Sequence, residues 1–376
     1  MVTDPSRSVS AVGRILVVTW AGDGHVTPAL ALAEQLQANG HAVRAMGTAA
    51  LEERFAAEGV PFRARDPLAE WDQAALARDV QAEAQSTDIV ISDYMLPGAL
   101  CGAEASHRPS VVLVPALFAT QFNAGELVPM RQSAGVASLA PVTSLAPVRA
   151  ELGLPPIATF GALLDRATRV LVTVPEELDR PLARRAPNVR YVGPVLHGPG
   201  PDAGWRPPGL DDGHPLVVVS VDATSPEAGA ARQRVLSALA DAPVRVVATA
   251  SGHLEAIELE VPANAHATGT VRLAAVLPWA SAVVSDGGLN TILAALTHAL
   301  PVVCLAQGGE GSAAAAVERV GAGIVLDRQA PPDAIRSAVR KALGDLELRA
   351  GAARMALRID ELRQAAAPVA EVETLL

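Results

Sequence analysis

Aromatic side chains make up only 3% of this 376-residue chain, so its cores have to be built from Ala, Val, Leu, Gly and Pro. Charge is sparse too, at 19% of residues against 50% apolar, a balance that excludes intrinsic disorder and fits a globular protein. Basic runs are missing, and the formal charge is −10 with a pI near 5.3. Binding a polyphosphate needs a basic surface, so nucleic acid is excluded as a partner. No apolar stretch approaches membrane-spanning length, and the polar start MVTDPSRSVSAVGR lacks the apolar core of a signal segment. The expectation is a cytoplasmic protein with no membrane partner. Cysteine is nearly absent. Cys101 and Cys304 lie far apart among apolar neighbours, without metal-ligand or redox spacing, and read as buried structural thiols. No clustered metal-ligand motif occurs, so no metal site is expected.

What is present is alternation. Strand-like and helix-like segments follow one another throughout, which implies βαβ units and mostly parallel sheets. In the first half, strands are expected over Arg14–Thr19, Ala42–Met46, Asp88–Ser92, Ser110–Val114, Arg169–Val174 and Arg190–Val192. A helix is expected over Thr27–Asn39, with Gly40 as its C-cap. Leu117 to Pro156 has no clean period and reads either as a cleft lining or as a connector. His197 to Pro215 is polar and rich in Pro and Gly, the composition of an interdomain linker. A second series follows, with strands at Leu216–Val221, Val244–Ala248, Ala282–Val284, Val302–Leu305 and Ile324–Leu326, a helix over Pro226–Ala240, and helix again from Pro332 to Leu376. The expected fold is α/β, with two Rossmann-like doubly wound domains facing a cleft. Their bounds are residues 1–200 and 215–355. Strand C-termini, and hence ligands, would line that cleft.

Two places carry chemistry. In AVVSDGGLNTILAALTHALP (Ala282 to Pro301), a strand stops at Gly287-Gly288 and a helix starts near Asn290. Glycines there let backbone N–H groups face a ligand, and the helix dipole favours an anion. Yet Asp286 puts a carboxylate at the mouth of that cradle. The other place is the first strand–helix junction, Gly22-Asp23-Gly24-His25-Val26-Thr27-Pro28. His25 is either a solvated loop histidine or a base whose neutral imidazole accepts a proton near pH 7. Asp93, ending DIVISD, is either a turn or N-cap residue or the carboxylate that fixes the imidazole tautomer.

These residues resemble a family. The loop GxGHVxPxLALAxxLxxxGHxV (Gly22 to Val43), PEELDRP (Pro175 to Pro181), VRYVGPVL (Val189 to Leu196) and the GG-x-x-T turn (Gly287 to Thr291) resemble family 1 glycosyltransferases. Nearest are the bacterial enzymes that glycosylate macrolides, aromatic polyketides and enediynes. The resemblance covers nearly the whole chain and implies a GT-B fold, with an acceptor domain first, a nucleotide-sugar domain second, and a last helix over 356–376 crossing back to the first domain. It implies that His25 is the general base and Asp93 its orienter, with inversion at the sugar carbon and no metal required. It implies an apolar small-molecule acceptor and a nucleoside diphosphate sugar as co-substrate, dTDP favoured over UDP, with no cofactor. Donor contacts map onto Ser220, Thr224, Val271, Asp286, Gly287, Gly288, Asn290, Thr291 and Glu310.

The donor half departs from the family pattern. Where His-Gly-Gly is usual, the chain has Asp286-Gly287-Gly288, and the Ser-x-Gly-Thr turn reads Ser220-Val221-Asp222-Ala223-Thr224. The family's Asp-Gln pair aligns with Gly309-Glu310, a nearby Asn with Ala313, and the nucleobase Val-Pro with Val271-Arg272. A carboxylate in place of a donor beside a diphosphate costs on the order of several kcal/mol in a partly dry site. Two functions follow as expectations. One is an active transferase; the other is a non-glycosylating relative that keeps the acceptor side and His25 but has lost the nucleotide sugar. A nucleotide-sugar epimerase or glycogen-type transferase fits the GHVxP loop and GG-x-x-T turn less well.

Overall fold

A computed structural model of the chain describes residues 12–66, 71–121, 145–181, 185–196, 204–209, 212–221, 226–249, 259–269, 271–306 and 312–376. The chain divides into two compact units. Unit 1 comprises Met1–Val174, Arg180–Val195 and Arg363–Leu376; unit 2 comprises Pro175–Asp179 and Leu196–Leu362.

Unit 1 runs β1 (Arg14–Val18), α1 (Asp23–Ala38), β2 (Ala42–Thr48), α2 (Glu52–Ala57), β3 (Phe62–Arg65), α3 (Gln73–Ala84), β4 (Ile89–Asp93), α4 (Pro97–Ala105) and β5 (Ser110–Val114). It continues through α5 (Phe118–Gln121), α6 (Leu145–Glu151), α7 (Phe160–Leu164), β6 (Arg169–Val172) and β7 (Val189–Tyr191). The strands form one parallel sheet in the order β3-β2-β1-β4-β5-β6-β7. β1 and β4 are neighbours in space although β2 and β3 separate them in sequence, and Val18 pairs with Ser92. The strand order reverses at this pair, and an open α/β sheet binds ligands at such a reversal, beyond the strand C-termini.

Unit 2 repeats the plan. It contains β8 (Leu216–Ser220), α8 (Pro226–Leu239), β9 (Arg245–Thr249), β10 (Ala265–Thr268), α9 (Leu273–Val276), β11 (Ala282–Ser285), α10 (Leu289–Thr297), β12 (Val302–Leu305), α11 (Ala313–Arg319) and β13 (Gly323–Leu326). α12 (Pro332–Gly344) and α13 (Leu346–Gln364) follow. The sheet order is β10-β9-β8-β11-β12-β13, and Ser220 pairs with Ser285 at its reversal point. The PEELD segment is held in this unit by Arg319 on α11, whose guanidinium donates to the carbonyls of Glu177, Leu178 and Asp179 at 2.7–3.2 Å.

The central strands of both sheets are buried, as their near-continuous β-branched runs require. One core of unit 1 packs Ile15 and Val17 of β1 against Leu30, Ala33 and Leu36 of α1. The last helix, α14 (Ala367–Glu373), adds Val369 and Val372 to that same core. Ala366 takes a left-handed φ of 46°, which breaks α13 from α14. Two carboxylates fasten α14. Glu371 meets Arg169 at 3.0 Å and Arg190 at 3.4 Å, while Glu373 accepts from Asn39 at 3.0 Å and lies 3.1 Å from Nε2 of His41. Among the described residues, no helix is long and apolar enough to cross a membrane.

Candidate active site

The first strand–helix junction differs from its sequence expectation. The helix expected from Thr27 begins instead at Asp23, with Gly22 as N-cap and Pro28 inside it. His25 therefore sits in the first helical turn rather than in a loop, and its backbone N–H donates to the Gly22 carbonyl at 2.8 Å. The helix aims the ring across the sheet at the end of β4.

There Asp93 waits. Its side chain is 1% exposed and its Oδ2 lies 2.8 Å from Nδ1 of His25, whose own side chain is 13% exposed. The other carboxylate oxygen, Oδ1, accepts from the Trp20 indole N–H at 3.2 Å and from the Met95 backbone N–H at 2.8 Å. An ionised carboxylate only accepts, so Nδ1 carries a proton, and in the neutral ring Nε2 holds the lone pair. Aromatic rings surround the imidazole. Trp20 lies 4.6 Å from it and Tyr94 5.7 Å, centroid to centroid, and Trp71 packs edge-on against Trp20 at 5.2 Å. Burial, with the Asp93 charge added, pushes the Tyr94 hydroxyl well above its ordinary range, so it stays protonated. In a chain so poor in aromatics, two of its four Trp and one of its two Tyr gather here. Sequence reasoning missed Trp20; the signal available was a tryptophan directly after a buried strand, two residues before the glycine loop.

The donor-type turn of unit 2 is built by β11 and α10. Gly287 has φ +90°, and a Cβ there would come within 3.1 Å of the Ala306 Cβ, so only glycine fits. The amides of the turn are engaged by the chain itself. Gly287 N–H donates to the Ser285 hydroxyl at 3.1 Å, and Gly288 N–H donates to Oδ1 of Asp286 at 3.2 Å. Asn290 and Thr291 lie in the first turn of α10, and Ser220 closes β8 alongside Ser285. Val271 and the exposed Arg272 precede α9, with Arg272 as its N-cap residue. Ala313 opens α11 behind Ser312, whose hydroxyl accepts from Ala315 N–H at 3.1 Å. Thr224, Asp222, Gly309 and Glu310 lie outside the described residues. Both cysteines are buried free thiols. Among the described residues, no three His, Cys, Asp or Glu side chains gather as a metal site.

Comparison with known proteins agrees with this architecture. Residues 15–68 match the glycosyltransferase family 28 N-terminal domain, and residues 233–373 match the Erythromycin biosynthesis protein CIII-like C-terminal domain. The chain is 28% identical to 4'-demethylrebeccamycin synthase of Lentzea aerocolonigenes, over 91% of this chain and 94% of that protein. It is 26% identical to demethyllactenocin mycarosyltransferase of Streptomyces fradiae, over 94% of this chain and 83% of that protein. The structure of spinosyn rhamnosyltransferase SpnG complexed with thymidine diphosphate superposes with a TM-score of 0.70 at 20% identity, covering 96% and 99% of the two chains. With a family match in each half, on a fold shared from end to end, the chain is a glycosyltransferase of the GT-B type, similar along its length to transferases of natural-product biosynthesis.

Proposed function

We propose that this protein is an inverting, metal-independent glycosyltransferase that moves a sugar, of the deoxy type, from a nucleoside diphosphate to a hydroxyl of an apolar natural product. dTDP is favoured over UDP, and a cytoplasmic location goes with such a role. The reading is carried by one observation, the 2.8 Å contact between His25 Nδ1 and the buried Asp93 at the reversal point of unit 1. His25 Nε2 takes the proton of the acceptor hydroxyl as its oxygen attacks the anomeric carbon. The bond from that carbon to the diphosphate oxygen breaks, and the diphosphate leaves from the opposite face. Asp93 holds the tautomer and stabilises the imidazolium. The N-terminus of α10, with Gly287, Gly288, Asn290 and Thr291, is the unit 2 element suited to the departing phosphate. His25→Ala should abolish transfer while leaving dTDP affinity in calorimetry unchanged. Loss of both together would remove His25 from the role of base.

A second reading is favoured by Asp286, whose carboxylate already takes the Gly288 N–H. On that reading the chain is a non-glycosylating relative, a binding protein or a proton-transfer enzyme using the acceptor side and His25. Titration of dTDP and UDP into wild type and Asp286→His separates the two. Binding by wild type defeats the second reading, and binding by the revertant alone defeats the first.

A further inference from the structure

We propose that Trp20 is the positioning residue of the His25–Asp93 pair, and that Gly22 lacks a side chain in order to admit it. This rests on the reading of His25 as base. Three observations converge on the indole. Its N–H donates to Asp93 Oδ1 at 3.2 Å, so it holds the carboxylate oxygen that His25 does not use. Its ring lies 4.6 Å from the His25 ring at an interplanar angle of 43°, so the same side chain limits the swing of the imidazole. A Cβ on Gly22 would fall 2.5–2.8 Å from three carbons of that ring. Gly22 has φ −86° and ψ 120°, a backbone any residue adopts, so the demand for glycine there comes from Trp20 and not from the turn.

The consequence is a carboxylate fixed from both ends. Oδ1 is shared by Trp20 and the Met95 amide, so Oδ2 keeps one orientation and Nδ1–H has one acceptor. A buried indole N–H without that acceptor would be left unsatisfied, which locks Trp20 as firmly as Trp20 locks Asp93. Trp71, half-buried, packs edge-on against the indole at 5.2 Å.

The test uses the full chain in two variants. Trp20→Phe keeps a ring against His25 and removes the donor, while Gly22→Ala keeps the donor and pushes the indole. Proton NMR of the wild type should show a low-field, exchange-protected imidazole Nδ1–H resonance that disappears in His25→Gln. In Trp20→Phe and in Gly22→Ala that resonance should shift and broaden, and in Trp20→Phe the thermal midpoint should stay close to that of the wild type. With dTDP-sugar and an acceptor that wild type turns over, Trp20→Phe should lower kcat about tenfold, the worth of one hydrogen bond to a charged group, with acceptor KM within about twofold. An unchanged Nδ1–H resonance in both variants overturns the proposal, as does an unchanged kcat. If wild type transfers no sugar and yet the resonance responds in both variants, the transferase reading fails and the positioning role stands.

Discussion

Asp93 and Asp286 hold the same place in the two sheets. Each follows a serine that pairs across the reversal point with the last residue of the first strand, Ser92 with Val18 and Ser285 with Ser220. One carboxylate is given to an imidazole from the facing helix; the other folds back onto the amide of its own turn at 3.2 Å. A single position in a repeated plan thus meets an imidazole in one unit and the backbone of its own turn in the other.

Asp93→Asn tests the first of these. The amide preserves shape but can present N–H to Nδ1 and invert the tautomer, which removes the lone pair from Nε2. Transfer should fall on the order of a thousandfold with little change in the urea midpoint. A fall below tenfold in steady-state assays would deny Asp93 this part.

Gly287 governs the second. Any side chain there meets both a φ of +90° and the Ala306 Cβ at 3.1 Å. Gly287→Ala should lower the unfolding free energy by about 1–3 kcal/mol in urea titration. Gly24, where an added Cβ meets nothing within 4 Å, is the matched control; its substitution by Ala should cost less than half as much.

Cys304 on β12 pairs in register with Ser285 on β11. Burial, joined by the nearby Asp286 and Glu318 charges, pushes its thiol up to about 12 from an ordinary 9.0. The fold favours the protonated form. Its contribution to stability is therefore whole below pH 9 and lost as pH rises through about 12. At pH 8 the native protein should leave Cys304 unreacted with a disulfide reagent, and the thiol should titrate once urea unfolds unit 2. Rapid native labelling would contradict the burial.

His41 is 2% exposed and accepts the Gly13 N–H at Nδ1, so it donates from Nε2 to Glu373. Glu373→Ala strands that buried donor and should destabilise unit 1 by about 1–3 kcal/mol, read from the first transition in urea. Glu373→Gln, which keeps an acceptor, should recover most of the loss.

Much of this was legible in the residues themselves. The buried strands β1, β4, β5, β8, β11 and β12 announce themselves as short β-branched runs, since both faces are covered and no polar alternation dilutes them. The edge strands β3 (FRAR) and β10 (AHAT) carry no such run and escaped notice, because one flank faces solvent and their pairing is dictated by β2 and β9. His25 and Asp93 were readable as residues at strand C-termini. Trp20 was not, because a side chain that works by touching two others leaves no spacing in the sequence. At Asp286 the departure from the family pattern was visible in one letter, but its bond to Gly288 needed coordinates.

The membership of α14 in unit 1 orders the birth of the molecule. A ribosome that has delivered the first 195 residues has not yet delivered Val369 or Val372, so the first sheet emerges with part of its hydrophobic interior missing. The interior of the unit made first is thus completed by residues that are made after unit 2.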